Sequence, residues 1–236
     1  MFFPWVGLFE QIRLADIFVH FNDVQLPQGR SFTNRVQIKT KDGSKWLTVP
    51  LKKTPSGALI NQTPISYDSN WVSDHLKFLE NNYAKAPYKE EMLQLVTRVY
   101  NNRFELISEL DIFAVELVCD YFGISRDKEF LQSAPLHLQT KKSEKLLDII
   151  TGCRADKYIT GWGALNYLDY ELFERKHVEV EYMDYKKNPY NQGFGQFDPF
   201  VSILDLIAYE GKDGSSFICS SSKNWKTFIY ERNRSV

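Results

Sequence analysis

The chain has little of what marks several large protein classes. Its 236 residues include only three cysteines, Cys119, Cys153 and Cys219, widely spaced and with no CxxC pair. That pattern argues against a disulfide framework or a thiolate zinc site and fits a reducing compartment. No stretch approaches the ~18 consecutive apolar residues of a membrane-spanning helix. The opening Met1-Phe2-Phe3-Pro4-Trp5 has neither the basic flank nor the apolar core of a secretory signal. A cytoplasmic protein without stable membrane insertion is expected. Excess charge is missing too: 29 Lys and Arg against 30 Asp and Glu leave a net charge of −1. A general nucleic-acid binder would need a basic field, so no nucleic-acid partner is expected. GxSxG, P-loop and HExxH motifs are absent, no two histidines have metal-ligand spacing, and no motif names a cofactor.

The length fits one domain with a sizeable insertion. Val6–Leu14 has helical apolar spacing, and the β-branched and aromatic run Asp16–Phe21 reads as a strand. An α/β domain usually places a strand before such a first helix. Five residues are too few to make one, so an absent or shortened first strand is expected, with a sheet edge free to pair with a second copy as a homodimer. The alternating segments 34–40 and 45–49 flank Asp42-Gly43 and predict a hairpin. Helices follow over about 69–83, 89–101 and 103–121, within a helical insertion of about 60–125. Next come a short strand near 130–134, a helix over 143–153, a strand over 157–160, a helix over 165–176 and a strand over 178–183. This β-turn-α-β order favours parallel pairing through a right-handed crossover. A last helix spans 200–209, and the tail, about 212–236, reads as peripheral. The fold class expected is α/β, a Rossmann-like mostly parallel sheet with a β-hairpin and the helical insertion.

Three constellations stand out. Gly161-Trp162-Gly163 lies at the carboxyl end of a strand, where open α/β sheets bind ligands; the same glycines also suit a plain βα turn. Pro189-Tyr190-Asn191-Gln192-Gly193-Phe194-Gly195-Gln196-Phe197 gathers aromatics and amides that suit stacking on a sugar or base and bonding its edges, or a loop packed on the core. Asn22, Asp23, Gln25, Arg30, Asn34 and Arg35 collect where the first strand ends. There a carboxylate with two guanidiniums fits an amine and phosphates, or a structural ion pair. His20 sits opposite Val19 and Phe21 on that strand and can face the site.

Together these segments resemble the WbqC-like family of bacterial proteins. The resemblance lies in Pro4-Trp5-Val6-Gly7-Leu8-Phe9, Ala15-Asp16-Ile17-Phe18-Val19-His20-Phe21-Asn22-Asp23-Val24-Gln25, Arg30…Asn34-Arg35…Ile38, Trp46-Leu47-Thr48-Val49-Pro50, Thr160-Gly161-Trp162-Gly163 and Tyr185…Tyr190-Asn191-Gln192-Gly193-Phe194-Gly195-Gln196-Phe197. It covers residues 1 to about 211. Asn22 stands where the family usually has a first aspartate, leaving Asp23 as the carboxylate of that motif. The resemblance implies a role in O-antigen and surface-polysaccharide biosynthesis. The expected activity is a transferase or ligase forming an amide, acyl or aminoacyl with glycyl among the candidates, on a nucleotide-linked amino sugar. Asp23 and His20 are the catalytic candidates. Trp5, Asn22, Gln25, Arg30, Asn34, Arg35, Gly161, Gly163, Tyr190, Gln192 and Phe194 are the candidates for holding a nucleotide sugar. The competing reading is a non-catalytic sugar-nucleotide-binding or assembly protein of the same pathway.

Overall fold

A computed structural model describes residues 1–27, 29 and 31–234. Among these residues it is a mixed α/β fold with eight α-helices and three small sheets. Helix α1 (Val6–Leu14) leads into strand β1 (Ile17–His20), which pairs in parallel with β4 (Glu129–Gln132). Strands β2 (Arg35–Thr40) and β3 (Gly43–Thr48) form the expected antiparallel hairpin. Strand β5 (Lys157–Thr160) is parallel to β6 (Glu179–Asp184), and β6 is antiparallel to β7 (Ser221–Asn224). The strands thus fall into three separate sheets instead of the single mostly parallel sheet expected.

The insertion holds α2 (Trp71–Asn82), α3 (Lys89–Tyr100) and α4 (Ile107–Phe122). Trp71, His75 and Leu79 recur at intervals of four on the buried stripe of α2. Helix α4 starts with the Glu109 carboxylate accepting from the Leu106 amide at 3.0 Å. It ends at Gly123, whose φ of 69° supplies the left-handed cap that other residues adopt at a cost. These helices, α1, the hairpin and α7 (Ile203–Glu210) share one hydrophobic core.

A second core sits under β5–β6, built from Leu147, Ile150, Phe173, Val180, Tyr182 and Phe228. Helix α5 (Lys142–Gly152) supplies the first two of these. Two expectations are corrected here. The single helix over 165–176 is a 3₁₀ turn, Trp162–Asn166, followed by α6 (Tyr170–Arg175), because Asp169 starts a new helix by accepting from the Leu172 amide. The tail is not peripheral: it adds β7 to the sheet and α8 (Trp225–Arg234), whose Phe228 stacks on Tyr182 with ring centroids 4.8 Å apart.

Candidate functional site at the strand ends

Strand β1 ends in a knot of polar groups. The Ser133 amide donates to the His20 carbonyl, carrying the β1–β4 pairing one residue past the strands. The Asn22 amide donates to Ser133 Oγ at 3.2 Å, and Asn22 Nδ2 to Gln132 Oε1 at 2.9 Å. Ser133 Oγ in turn donates to Asp23 Oδ1 at 2.5 Å, while Lys145 Nζ from α5 lies 2.7 Å from Asp23 Oδ2. Both members of that ion pair are largely covered, with side chains 10% and 12% exposed. Burial alone pushes the Asp23 carboxyl up. The hydrogen bonds from Lys145 and Ser133 and the Lys145 charge outweigh it and hold Asp23 below the usual carboxylate range. Both Asp23 oxygens are therefore engaged, so this carboxylate is an anchor for a cation more than a free proton acceptor.

His20 is buried, with Nε2 3.0 Å from Glu116 Oε1 on α4. Its ring packs between Phe18 and Phe130. A carboxylate that fixes one imidazole nitrogen sets tautomer and orientation, as a positioned base requires.

Beside this knot a cleft of about 740 Å³ opens between the two halves of the molecule. Its walls come from β1, β5, α1, α4 and α5. His20, Phe21 and Asn22 line it at the end of β1, and Tyr167 lies beyond the end of β5. Gln11 also lines it and donates from Nε2 to the Ile159 carbonyl at 3.1 Å. Gly161 follows directly: a Cβ built on it would come 3.5 Å from Gln11 Oε1, whereas one on Gly163 would meet nothing within 4 Å. Between the two glycines, Trp162 is 47% exposed. Lys187 Nζ and the Arg232 guanidinium lie 5.4 and 5.5 Å from its ring centroid.

The other described candidates, like Asp23, Gly161 and Gly163, are not among the residues that line the cleft. Arg35 donates to the carbonyls of Ser31 and Gly29 and stacks 4.7 Å over Trp46. Asn34 Nδ2 donates to the Val49 carbonyl at 2.9 Å, tying the hairpin. Trp5 bridges to Ser202 and packs edge-on against Phe32. Gln25 is exposed and bridges to Leu59. Arg30 lies outside the described residues. The aromatic loop folds onto the body of the protein. Gln192 Oε1 accepts from buried Lys39 Nζ at 2.8 Å, and Tyr190 packs edge-on against Phe197 and Phe217. Phe194 is half-buried. Gly193, at φ 72°, leaves no room for a Cβ because the Tyr209 hydroxyl occupies that space. Of the candidates, His20 and Asn22 line the cleft, Asp23 is tied to Ser133 and Lys145 next to Asn22, Gly161 lies near the cleft-lining Gln11, and Trp5, Gln25, Asn34, Arg35, Tyr190 and Gln192 are engaged elsewhere.

The whole arrangement, from the β1 end to the Gly turn and loop, falls within a single sequence family. A model of the WbqC-like protein family matches residues 1–217. The chain belongs to the WbqC-like family. A relative in it, "Uncharacterized protein Rv1507c" from Mycobacterium tuberculosis (strain ATCC 25618 / H37Rv), is 30% identical over 220 residues. The alignment spans 92% of this chain and 94% of that protein. No solved structure matches.

Four residues of this WbqC-like site escaped the reading of the sequence: Ser133, Lys145, Glu116 and the exposed ring of Trp162 as distinct from its glycines. One signal was available for Lys145. It lies four residues before Ile149 on the buried stripe of α5, a position where an unpaired lysine is costly.

Proposed function

We propose that this WbqC-like protein forms an amide, acyl or aminoacyl, on a nucleotide-linked amino sugar of surface-polysaccharide biosynthesis. The observation that carries the reading is His20, which lines the cleft with Nε2 held 3.0 Å from Glu116 Oε1, beside the polar knot where β1 and β4 end. The substrate amine attacks the carboxyl carbon of an activated donor. A C–N bond forms, the donor's leaving group departs, and the amine proton passes to the imidazole. The donor class that balances this step is an acyl thioester or an acyl phosphate, including an acyl adenylate. Asp23 and Lys145 hold the end of β1 in place beside the cleft. Trp162, half exposed and with the Lys187 and Arg232 cations 5.4 and 5.5 Å from its ring centroid, suits a base or sugar ring with a diphosphate alongside. The exposed Phe21 and Tyr167 line the cleft itself.

One observation favours the second reading, a sugar-nucleotide-binding protein without turnover. Asp23, the carboxylate of the family motif, is committed to Ser133 and Lys145. The two readings separate on His20→Gln. Binding of UDP-glucosamine is measured by calorimetry, and product by the mass gain of the sugar with acetyl-CoA or with glycine and ATP. Product from the parent, lost in His20→Gln with binding kept, supports the enzyme. Binding without product from any donor supports the carrier, and absence of binding removes both.

A further inference from the structure

We infer that the body of the cleft is a slot for one more β-strand, parallel to β1 and β5 and joined directly to Met1. Residues 15–22 and 153–159 all line the cleft, without a break. Alternate side chains of a strand point to opposite faces, so an unbroken run touches a cavity only where it opens on the strand's edge. Backbone bonding agrees. The Glu129 and Ser133 amides donate to the carbonyls of Asp16 and His20, so by alternation Ile17 and Val19 direct their own polar groups away from β4, into the cleft. The Glu179 amide donates to the Asp156 carbonyl, which turns Lys157 and Ile159 away from β6. The Ile159 carbonyl is the one that Gln11 Nε2 reaches, a side-chain amide standing where a neighbouring strand would donate. Helices cover both sides of the opening: Leu146, Ile149 and Ile150 of α5 on one, Ile112 and Val115 of α4 on the other. An apolar strand fits between them.

Direction follows from α5. It begins where Lys145 meets Asp23, at the end of β1, and finishes at Cys153, where the Glu129 carboxylate adds to burial in raising the thiol's pKa. Glu129 starts β4, so β5 starts at the amino end of β1 and runs parallel to it. Met1 stands at the opposite, carboxyl end. It lines the cleft with Ser108, Asp111 and Ile60, and the Ile60 and Asn61 amides donate to the Val24 and Asn22 carbonyls just past β1. The Met1 ammonium lies 2.8 Å from Asp111 Oδ2. A strand running up the slot emerges at Met1 and puts a peptide N–H before the same carboxylate. The chain then turns through Phe2–Trp5 into α1 and returns to β1, a β-α-β unit. The sheet order becomes β4-β1-new-β5-β6-β7. With the β2–β3 hairpin set aside, numbering along the extended chain gives 3-2-1-4-5-6, the strand order of doubly wound nucleotide-binding α/β folds, here with an antiparallel last strand. The slot fills the cleft between the strand edges and leaves its carboxyl end open, so this inference stands whether or not the proposed activity does.

The test compares the 236-residue chain with two forms carrying seven residues before Met1, one β-branched and apolar, one of Gly and Ser. The apolar form should melt higher than both others by about 5 °C or more. Its amides at Ile17, Val19, Lys157 and Ile159 should exchange at least roughly tenfold more slowly. Equal melting and equal exchange in the two extended forms overturn the inference. So does a parent whose slot amides are protected only in a dimer that the apolar extension leaves intact, since a second copy is then the occupant.

Discussion

Lys145 and Asp23 lie 122 residues apart in the chain and 2.7 Å apart in the fold. This pair joins the helix that leads into the second core to the loop that leaves β1, so it ties the two halves of the protein at the cleft's carboxyl end. Removing one member of a well-covered ion pair strands the other, at a cost of about 3 kcal/mol. Lys145→Met and Asp23→Asn should each lower stability on that scale. The double variant should cost less than the sum of the two, and urea denaturation of the four proteins measures the coupling. Additive losses would mean that the pair contributes nothing as a pair.

The loop over 190–197 should behave as packed structure. Gly193→Ala places a methyl against the Tyr209 hydroxyl at a positive φ, and should cost about 1–3 kcal/mol. Adding Tyr209→Ala should recover the part due to the clash and leave the part due to the backbone angle. Thermal melts of the two variants check this.

Stability should carry two opposite pH dependences. Burial raises the Asp205 carboxyl to about 7 against the hydrogen bond from Tyr83. Its folded form therefore favours the proton, so its contribution is present below its ordinary value of 3.8 and is lost as pH rises through about 7. The loss amounts to up to about 4 kcal/mol. His75 runs the other way. Burial lowers it to about 4, so its contribution is complete above 6.5 and is lost as pH falls toward 4. Asp205→Asn should remove the decline between pH 4 and 7, and His75→Asn should remove the rise over much the same range. Denaturation midpoints at intervals of one pH unit show both, and an unchanged slope in either variant would contradict its assignment.

Trp162 should matter to binding and not to folding. Stacking of one ring contributes about 1–3 kcal/mol, so Trp162→Ala should weaken UDP-glucosamine by roughly tenfold or more. Lys187→Ala should weaken it less, and more so at low salt than at high. Unchanged affinity in both would move the nucleotide away from the β5 turn.

Periodicity made most of the elements legible. The buried stripe of α2, the Asp42-Gly43 hairpin and the parallel β5–β6 pair all carry their signal within a few residues. The family, too, was readable from the spaced motifs. The tail hid its strand and helix because Ser221–Asn224 is polar and pairs at the sheet's edge, while α8 buries only Phe228. The division into three sheets depends on long-range pairing that no local pattern encodes. At the site, Asp23 and Asn22 were visible as polar residues at a strand exit. Their partners Ser133 and Lys145 come from elements more than a hundred residues away, and only the fold brings them together. Arg35 shows the converse. It is a guanidinium well suited to phosphate in type, but the turn carbonyls of Gly29 and Ser31 take its donors.

On the proposed function, the carboxyl ends of β1 and β5 receive the nucleotide sugar. Hydrogen exchange with and without saturating UDP-glucosamine tests it most directly, because it reports every segment at once. Slower exchange is expected over 20–23, 132–134 and 160–167, with the hairpin at 35–48 and the loop at 190–197 unchanged. Protection confined to the hairpin or to that loop, with the strand ends unaffected, would contradict it.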